Sequence, residues 1–219
     1  MKICKNCFYD NTYPEIFFNH DGICNYCIQI NNLVIEYGTG LDKGKKNFQK
    51  IIDEIKVKQK NKKYDCVVGV SGGTDSSYML HMLKNIYNLR ILAVHYDNTW
   101  NTEISTRNIF KMVKKLNIDL ITHVVDNDEA DDILKAFFFS GVGEIDGPTD
   151  LAMAYVLRSE ARKFKIKYIF EGHSFLEEGI TPLTSNYFDG KYIQSIHKKY
   201  GKIKLKTYPL MTLSRFLKS

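Results

Sequence analysis

The chain has 219 residues, of which 44% are hydrophobic and 26% are charged, and its formal net charge is +6 at pH 7. These proportions are those of a globular protein with one well-buried domain and a small appendage. The sequence lacks an apolar run that would span a membrane, and Met1–Cys4 does not begin a signal peptide, so we expect a cytoplasmic protein without membrane insertion. The positive charge suits a phosphorylated or acidic small ligand, and we do not expect nucleic acid as a partner.

Four of the five cysteines lie within the first 27 residues, as two Cys-x-x-Cys pairs separated by sixteen residues: Cys4, Cys7, Cys24 and Cys27. This spacing is typical of a tetrahedral site of four thiolates, which holds zinc and leaves no coordination position for chemistry. A reducing compartment disfavours two disulfides or a redox pair, whereas an iron–sulfur cluster remains an alternative. We therefore predict a structural zinc knuckle over residues 1–37.

Gly38 to Gly44 has the loose composition of a linker. We place a second domain after it, over residues 48–219. Apolar residues recur at helical spacing from Phe48 to about Lys60, and the lysine-rich stretch that follows is predicted to be a solvated loop.

The stretch Ser71–Ser77, of sequence SGGTDSS, lies between a predicted buried strand at Tyr64–Val70 and a predicted helix. Two adjacent glycines allow a sharp turn and a close approach of the backbone to a ligand. The surrounding hydroxyls lie near N–H groups that the start of a helix leaves unpaired. A serine-rich turn capped by Asp75 or Ser76 is the alternative, but the strand before it and the helix after it favour a phosphate-binding turn.

Beyond this stretch, strands and helices alternate, which predicts a parallel sheet flanked by helices. The last of these helices is expected to be capped by Thr149 or Asp150, and the three phenylalanines at 137–139 are expected to be core. The predicted strands are 90–98, 119–125 and 167–170, and the predicted helices are 102–117, 129–139 and 149–165.

Polar residues follow each of these strands: Asp97 and Asn98, Asp126, and Gly172 with His173. Ligands of open α/β sheets bind outside the carboxyl ends of the strands. We therefore expect these residues to lie on one edge of the sheet together with the 71–77 loop.

The sequence Ser71-Gly72-Gly73-Thr74-Asp75-Ser76 resembles the SGGxDS loop of the PP-loop ATP pyrophosphatase superfamily, and it fits neither the GxxxxGK[ST] nor the GxGxxG pattern. The resemblance implies a Rossmann-like domain that cleaves ATP between the α- and β-phosphates, with the loop holding the pyrophosphate. Thr74 stands where many members have lysine or valine, so the loop supplies no lysine of its own.

A wider set of motifs resembles the N-acetyl sugar amidotransferases, which act in bacterial surface-polysaccharide and lipopolysaccharide synthesis. This resemblance implies that ATP adenylates the acetamido oxygen of an N-acetyl sugar, either nucleotide-linked or free, and that ammonia then gives an acetamidino sugar. The motifs are the two cysteine pairs, the loop, and the stretches 95–101, 122–126, 171–175, 189–193 and 195–197.

The resemblance also implies the site. Its catalytic residues would be Ser71, Asp75 and His173, with Mg²⁺ held by Asp75 first and by Glu177 or Asp126 second. Lys191, His197, Lys198 and Lys199 would reach phosphates or the sugar, and a plain basic surface is the alternative for Lys198 and Lys199. The residues implied to bind ATP are Ser71, Gly72, Gly73, Thr74, Asp75, Ser76, His95, Asp97, Asn98 and Gly172.

Cys66 is the one cysteine outside the knuckle, and it lies in the first predicted strand as inert core. With no free nucleophilic cysteine in a plausible catalytic triad, the chain is not expected to hydrolyse glutamine. The resemblance therefore implies a separate glutaminase subunit that supplies ammonia. A tRNA sulfur-transfer enzyme, or another RNA-modifying enzyme with the same loop, is the alternative, and its chemistry normally needs a reactive cysteine near the ATP site or an iron–sulfur cluster.

Overall fold

The computed structural model describes residues 1–180 and 189–218. Four strands and eight α-helices are found there, and the third helix continues into a short π-helical segment at Met82–Ile86. No helix of the described residues is long and apolar enough to cross a membrane. The elements in chain order are α1 (Asn25–Tyr37), α2 (Asp42–Lys58), β1 (Cys66–Gly69), α3 (Thr74–His81), β2 (Ile91–Asp97), α4 (Glu103–Leu116), β3 (Asp119–Val124), α5 (Asn127–Ser140), α6 (Gly147–Lys163), β4 (Ile169–Phe170), α7 (Gly190–Tyr200) and α8 (Leu213–Lys218).

The chain divides into two compact units. The first comprises Met1–Glu54 and His173–Asn186, and the second comprises Ile55–Gly172 and Tyr187–Ser219. The division falls within α2.

The second unit is built on a four-stranded sheet of order β3-β2-β1-β4, in which every neighbouring pair is parallel. Val68 of β1 pairs with Ala93 of β2 on one side and with Phe170 of β4 on the other. The alternation of strands and helices thus gives the parallel sheet flanked by helices that the sequence predicts.

The core of this unit consists of two clusters that share α6. One packs the sheet against α6, and the other packs α5, α6 and α7 together. The buried residues of the first cluster are Tyr64, Val67, Leu92, Val94, Val156, Leu157, Ala161 and Ile166. Those of the second are Val125, Ile133, Phe137, Ala152, Ile193, Tyr208 and Leu210.

Two local predictions are wrong. Only Phe137 of the three consecutive phenylalanines is core, while Phe138 and Phe139 are 71% and 66% exposed, because successive residues of a helix point to different faces. The N-cap of α6 is Asp146 rather than Thr149 or Asp150, since Pro148 has the backbone angle of a first helical turn and the helix so begins at Gly147.

The first unit holds the four-cysteine segment and α1. Cys24 is the N-cap of α1, where its sulfur accepts a hydrogen bond from the N–H of Cys27. Tyr26 packs among the buried cysteines and donates its hydroxyl to the carbonyl of Pro14 at 2.7 Å. The second cysteine pair is therefore fixed by the same turn that starts the helix.

Candidate functional site: the loop after the first strand

The 71–77 loop lies at the point where the connections of the sheet change direction. From β1 the chain passes to β2 and β3 on one side, and it later returns to β4 on the other side of β1. Such a switch point leaves a crevice at the carboxyl ends of β1 and β4, where ligands of open parallel sheets bind. Because the loop follows β1 directly, its backbone faces this crevice.

Helix α4 holds the loop in place. Gly72 has φ +78°, and a Cβ there would lie 2.2 Å from the carbonyl oxygen of Ser105, so only glycine fits. The side-chain amide of Asn108 donates a hydrogen bond to the carbonyl of Gly72 at 3.2 Å. Sequence reasoning missed Ser105 and Asn108, because the pattern of this helix predicts only which residues face the core.

The start of α3 is left open for a ligand. Gly73 is the N-cap and has no side chain to cap the helix, so the first N–H groups have no helical acceptor. The hydroxyls of Ser71 and Ser76 lie 3.2 Å apart beside them, while Thr74 and Asp75 are exposed. The alternative of a turn capped by Asp75 or Ser76 therefore does not describe this helix, and the arrangement offers several donors to an anion.

The end of β4 lies against the same turn. A Cβ on Gly172 would lie 3.6 Å from the N–H nitrogen of Ser76 and 3.7 Å from Cβ of Asp75. Two of the strand ends named from the sequence, those of β1 and β4, are thus in contact, which places Gly172 on one wall of the crevice.

His95 lies behind the loop rather than on its surface. Its side chain is buried, and its Nδ1 donates to the carbonyl of Val70 at 3.0 Å, one residue before the loop. The other ring nitrogen, Nε2, is buried without a hydrogen-bond partner among the described residues. Because a carbonyl oxygen can only accept a hydrogen bond, Nδ1 carries a proton in this contact.

Asp97 and Asn98 shape the turn after β2. The carboxylate of Asp97 accepts hydrogen bonds from the N–H of Thr99 and from the side-chain amide of Asn101, both at 2.8 Å. The side chain of Asn98 accepts from the N–H of Trp100 at 3.1 Å. Both residues therefore organise their own turn, and their contact with a nucleotide remains a prediction.

A cavity of about 270 Å³ opens beside this turn. Burial raises the pKa of Tyr96 to about 12 and also raises the pKa of Tyr208, so both phenols are neutral hydrogen-bond donors at neutral pH. Sequence reasoning missed this cavity because its walls come from four separate segments. Its lining is Tyr96, Asn98, Trp100, Ala130, Ile133, Leu134, Ile145, Asp146, Pro148, Thr149 and Tyr208.

The other predicted site residues have different surroundings. His173 belongs to the first unit, where its Nδ1 lies 3.1 Å from the carboxylate of Glu178, a partner that sequence reasoning missed. Glu177 is exposed in the same segment. Asp126 caps α5 by accepting from the N–H of Glu129 at 3.0 Å. His197 is buried with its Nε2 2.7 Å from the carboxylate of Asp132, and its contact with a phosphate or a sugar stays a prediction.

The four cysteines of the first unit form one cluster, in which all sulfur atoms lie within 4.8 Å of one another. The Cys4 and Cys27 sulfurs are 3.9 Å apart, and those of Cys7 and Cys24 are 3.5 Å apart. Four sulfurs bound to one zinc at about 2.3 Å lie about 3.8 Å from one another. The separations therefore fit a single tetrahedral ion, because a multi-iron cluster holds its thiolates further apart.

Hydrogen bonds to the sulfurs support this fit. The sulfur of Cys4 accepts from the N–H groups of Asn6 and Cys24, at 3.4 and 3.3 Å. The side-chain amide of Asn6 donates to the sulfur of Cys27 at 3.2 Å. Donors aimed at sulfur stabilise thiolates and orient them as metal ligands.

Cys66 is fully buried in β1, and burial raises the pKa of its thiol to about 12. A thiol in this environment stays protonated at neutral pH and is a poor nucleophile. Its position in the strand therefore suits packing, in agreement with the interpretation of Cys66 as core.

Comparisons with known proteins give the following likenesses. No family model matches the chain. It is 27% identical over 175 residues to the uncharacterized protein MJ1599 of Methanocaldococcus jannaschii, and the match covers 78% of this chain and 58% of the relative. Among solved structures, it is similar to the NMN synthetase of Francisella tularensis, with 18% identity and a TM-score of 0.43, over 61% of this chain and 56% of the other. It is also similar to the NH3-dependent NAD synthetase of Campylobacter jejuni, with 16% identity and a TM-score of 0.44, over 71% and 72% of the two chains.

Proposed function

We propose that this chain is an ATP-dependent amidotransferase that cleaves ATP between its α- and β-phosphates. The observation that carries the proposal is the uncapped start of α3 at the switch point of the sheet, with two serine hydroxyls beside its N–H groups. This arrangement stabilises a pyrophosphate through backbone donors and the positive end of the helix. It supplies no lysine, unlike a loop that binds the β- and γ-phosphates for γ-phosphoryl transfer.

The proposed substrate is the acetamido group of an N-acetyl sugar. Its carbonyl oxygen attacks the α-phosphorus, the bond from that phosphorus to the bridging oxygen breaks, and pyrophosphate leaves. Ammonia then adds to the activated carbon, the carbon–oxygen bond breaks to release AMP, and a proton is lost. The products are an acetamidino sugar, AMP and pyrophosphate, with no change of oxidation state.

The cavity beside Tyr96 supports an uncharged acceptor of this kind. Neutral phenols at Tyr96 and Tyr208 suit a carbonyl or hydroxyl group, and Ile133, Leu134 and Ile145 form an apolar wall that suits a methyl group. Trp100, which is 64% exposed, provides a ring face on which a sugar can stack.

Within this proposal, donors at the start of α3 take up the charge that develops on the leaving pyrophosphate. Mg²⁺ bound with ATP would neutralise further charge there. Asp75 is the residue best placed to hold it, because it is exposed in the first turn of α3, whereas Asp126 is engaged as a cap. A catalytic role for Ser71 and His173 remains part of the proposal.

The knuckle is proposed to bind zinc in a structural role, and the ammonia is proposed to come from a separate glutaminase subunit. The buried, protonated thiol of Cys66 supports a separate glutaminase subunit, because glutamine hydrolysis by a cysteine needs a reactive thiol.

The test is an assay of the full chain with ATP, Mg²⁺, ammonia and a panel of free and nucleotide-linked N-acetyl sugars. We expect AMP and pyrophosphate in equal amounts, together with a sugar whose mass has changed from amide to amidine. Asp75→Asn should lower the rate by about a hundredfold or more. Asp128→Asn, which changes an exposed acid in the first turn of α5, is the matched control and should keep the wild-type rate. Formation of ADP and phosphate, or normal turnover by Asp75→Asn, would contradict the proposal.

A further inference from the structure

A groove of about 750 Å³ lies on the second unit, away from the residues of the 71–77 loop. Five of its lining residues are cationic, and none is acidic. The cationic residues are Lys198 on α7, Lys202, Lys204 and Lys206 on the segment that follows it, and Arg215 on α8.

Some exposed lysines of this protein are paired with carboxylates, whereas those of the groove are not paired with any carboxylate among the described residues. Lys63, Lys135 and Lys163 each lie between 3.1 and 3.7 Å from a carboxylate. Within the part of the chain that the structure describes, no carboxylate forms an ion pair with any of the four groove lysines. Like charges that share a concave surface repel one another, and a bound anion relieves that repulsion.

The segment 201–209, which we call the strap, is fixed by two buried carboxylates of α5. Glu129 accepts hydrogen bonds from the N–H groups of Lys206, Thr207 and Tyr208, at 2.7, 3.0 and 2.7 Å. Asp132 accepts from the N–H groups of Lys202 and Ile203, at 2.8 and 3.1 Å.

All of these bonds use the backbone of the strap, so its lysine side chains are not needed to hold its conformation. The two carboxylates are also buried beneath the strap and are not among the residues that line the groove. The fold therefore presents several ammonium groups on a preorganised backbone, which lowers the cost of ordering them around a ligand.

From these observations we propose that the groove is a binding site for a small ligand that carries a diphosphate group. Four or more separated cations exceed what one phosphate requires, and they suit two linked phosphates. A volume of about 750 Å³ is that of a pocket for a nucleotide-sized molecule rather than an open track for a long polyanion. Tyr208 lines both this groove and the cavity beside Tyr96, so the two spaces share a wall.

The test uses inorganic pyrophosphate as the probe, with calorimetry at low ionic strength. Because the 71–77 loop is also an anion site, the measurement is made in a Gly73→Val protein, in which an isopropyl group covers the loop. We expect one remaining pyrophosphate site. Adding Lys202→Gln, Lys204→Gln and Lys206→Gln should weaken it by at least about tenfold.

The matched control carries Lys111→Gln, Lys114→Gln and Lys115→Gln on α4, which makes the same change in net charge. It should change the affinity by less than about twofold. Equal weakening by the control, or no pyrophosphate binding by the Gly73→Val protein, would overturn the proposal. Thermal melting checks that the variants fold. A second variant, which combines Lys198→Gln with Lys204→Gln, changes only one residue of the strap.

A competition arm with single-stranded oligouridylate tests the size of the ligand. If the oligonucleotide binds through the same lysines and more tightly than pyrophosphate, the assignment to a small ligand is wrong. If it fails to displace pyrophosphate at equal phosphate concentration, the assignment stands.

Discussion

Gly72 is the loop glycine with the closest neighbour, since a Cβ there would lie 2.2 Å from the carbonyl oxygen of Ser105, and it shows how one residue sets the position of the loop. Its positive φ favours glycine, and the backbone of α4 leaves no room for a side chain. Gly141 has a similar φ of +70° but has nothing within 4 Å of the place where a Cβ would lie. A comparison of substitutions at Gly72 and Gly141 therefore separates the cost of a positive φ from the cost of a steric contact.

We predict that Gly72→Ala destabilises the protein more than Gly141→Ala. The positive φ costs each variant roughly 1–2 kcal/mol, and the contact with Ser105 adds about 1–3 kcal/mol at Gly72 alone. Urea unfolding measures both values, and ATP binding should weaken only in Gly72→Ala. Equal losses of stability in the two variants would mean that α4 does not hold the loop.

At the scale of elements, α1 begins at a residue of the four-cysteine cluster. Cys24 supplies both a sulfur to the four-cysteine cluster and the N-cap of the helix. Serine can keep the cap, since its hydroxyl accepts the same hydrogen bond, but it is a poor ligand for zinc.

We predict that Cys24→Ser removes the bound zinc and increases hydrogen exchange across residues 1–37, while the second unit stays folded. Elemental analysis should find one zinc per wild-type chain and none in the variant. Cys66→Ser is the control: it alters a buried thiol of β1 and should keep the full zinc content. Retention of zinc by Cys24→Ser would contradict the four-thiolate assignment, and finding iron in place of zinc would contradict the choice of metal.

Helix α5 holds the strap through Asp132, and this contact depends on pH. Burial acts to raise the pKa of Asp132, but hydrogen bonds from Ile203, Lys202 and His197 outweigh it and leave the pKa below its ordinary value of 3.8. A carboxyl whose pKa is lower in the folded state contributes stability above its unfolded pKa. That stability is lost as the pH falls through the folded pKa.

We predict that Asp132→Asn lowers the free energy of unfolding at neutral pH by about 1–3 kcal/mol, because buried N–H groups lose a charged acceptor. The variant should also lose stability less steeply than wild type below about pH 4. Asp131→Asn is the matched control, since its exposed pair with Lys135 is worth only about 0–1 kcal/mol. Chemical denaturation at a series of pH values measures the stability of each variant. If the stability of Asp132→Asn and of wild type falls in parallel as the pH is lowered, the carboxyl of Asp132 does not titrate with unfolding.

For the whole molecule, the parallel sheet and the position of the loop could be predicted from sequence, because alternating periodicity and turn composition are local signals. The contacts of Asn108 with Gly72 and of Glu129 with the strap could not, since they join residues 36 and up to 79 positions apart. Helix α7 was also missed, although its apolar residues pack in the second core cluster. The loop was recognisable, whereas the residues that fix it in place needed the structure.

Our central proposal is that the loop at the switch point holds pyrophosphate while a substrate oxygen is adenylated. The direct test is to supply ATP, ammonia and an N-acetyl sugar labelled with oxygen-18 in its acetamido carbonyl. We predict that the label appears in AMP, one atom for each amidine formed, and that pyrophosphate is unlabelled. Label that appears in inorganic phosphate, or that stays in the sugar while nucleotide is consumed, would contradict it.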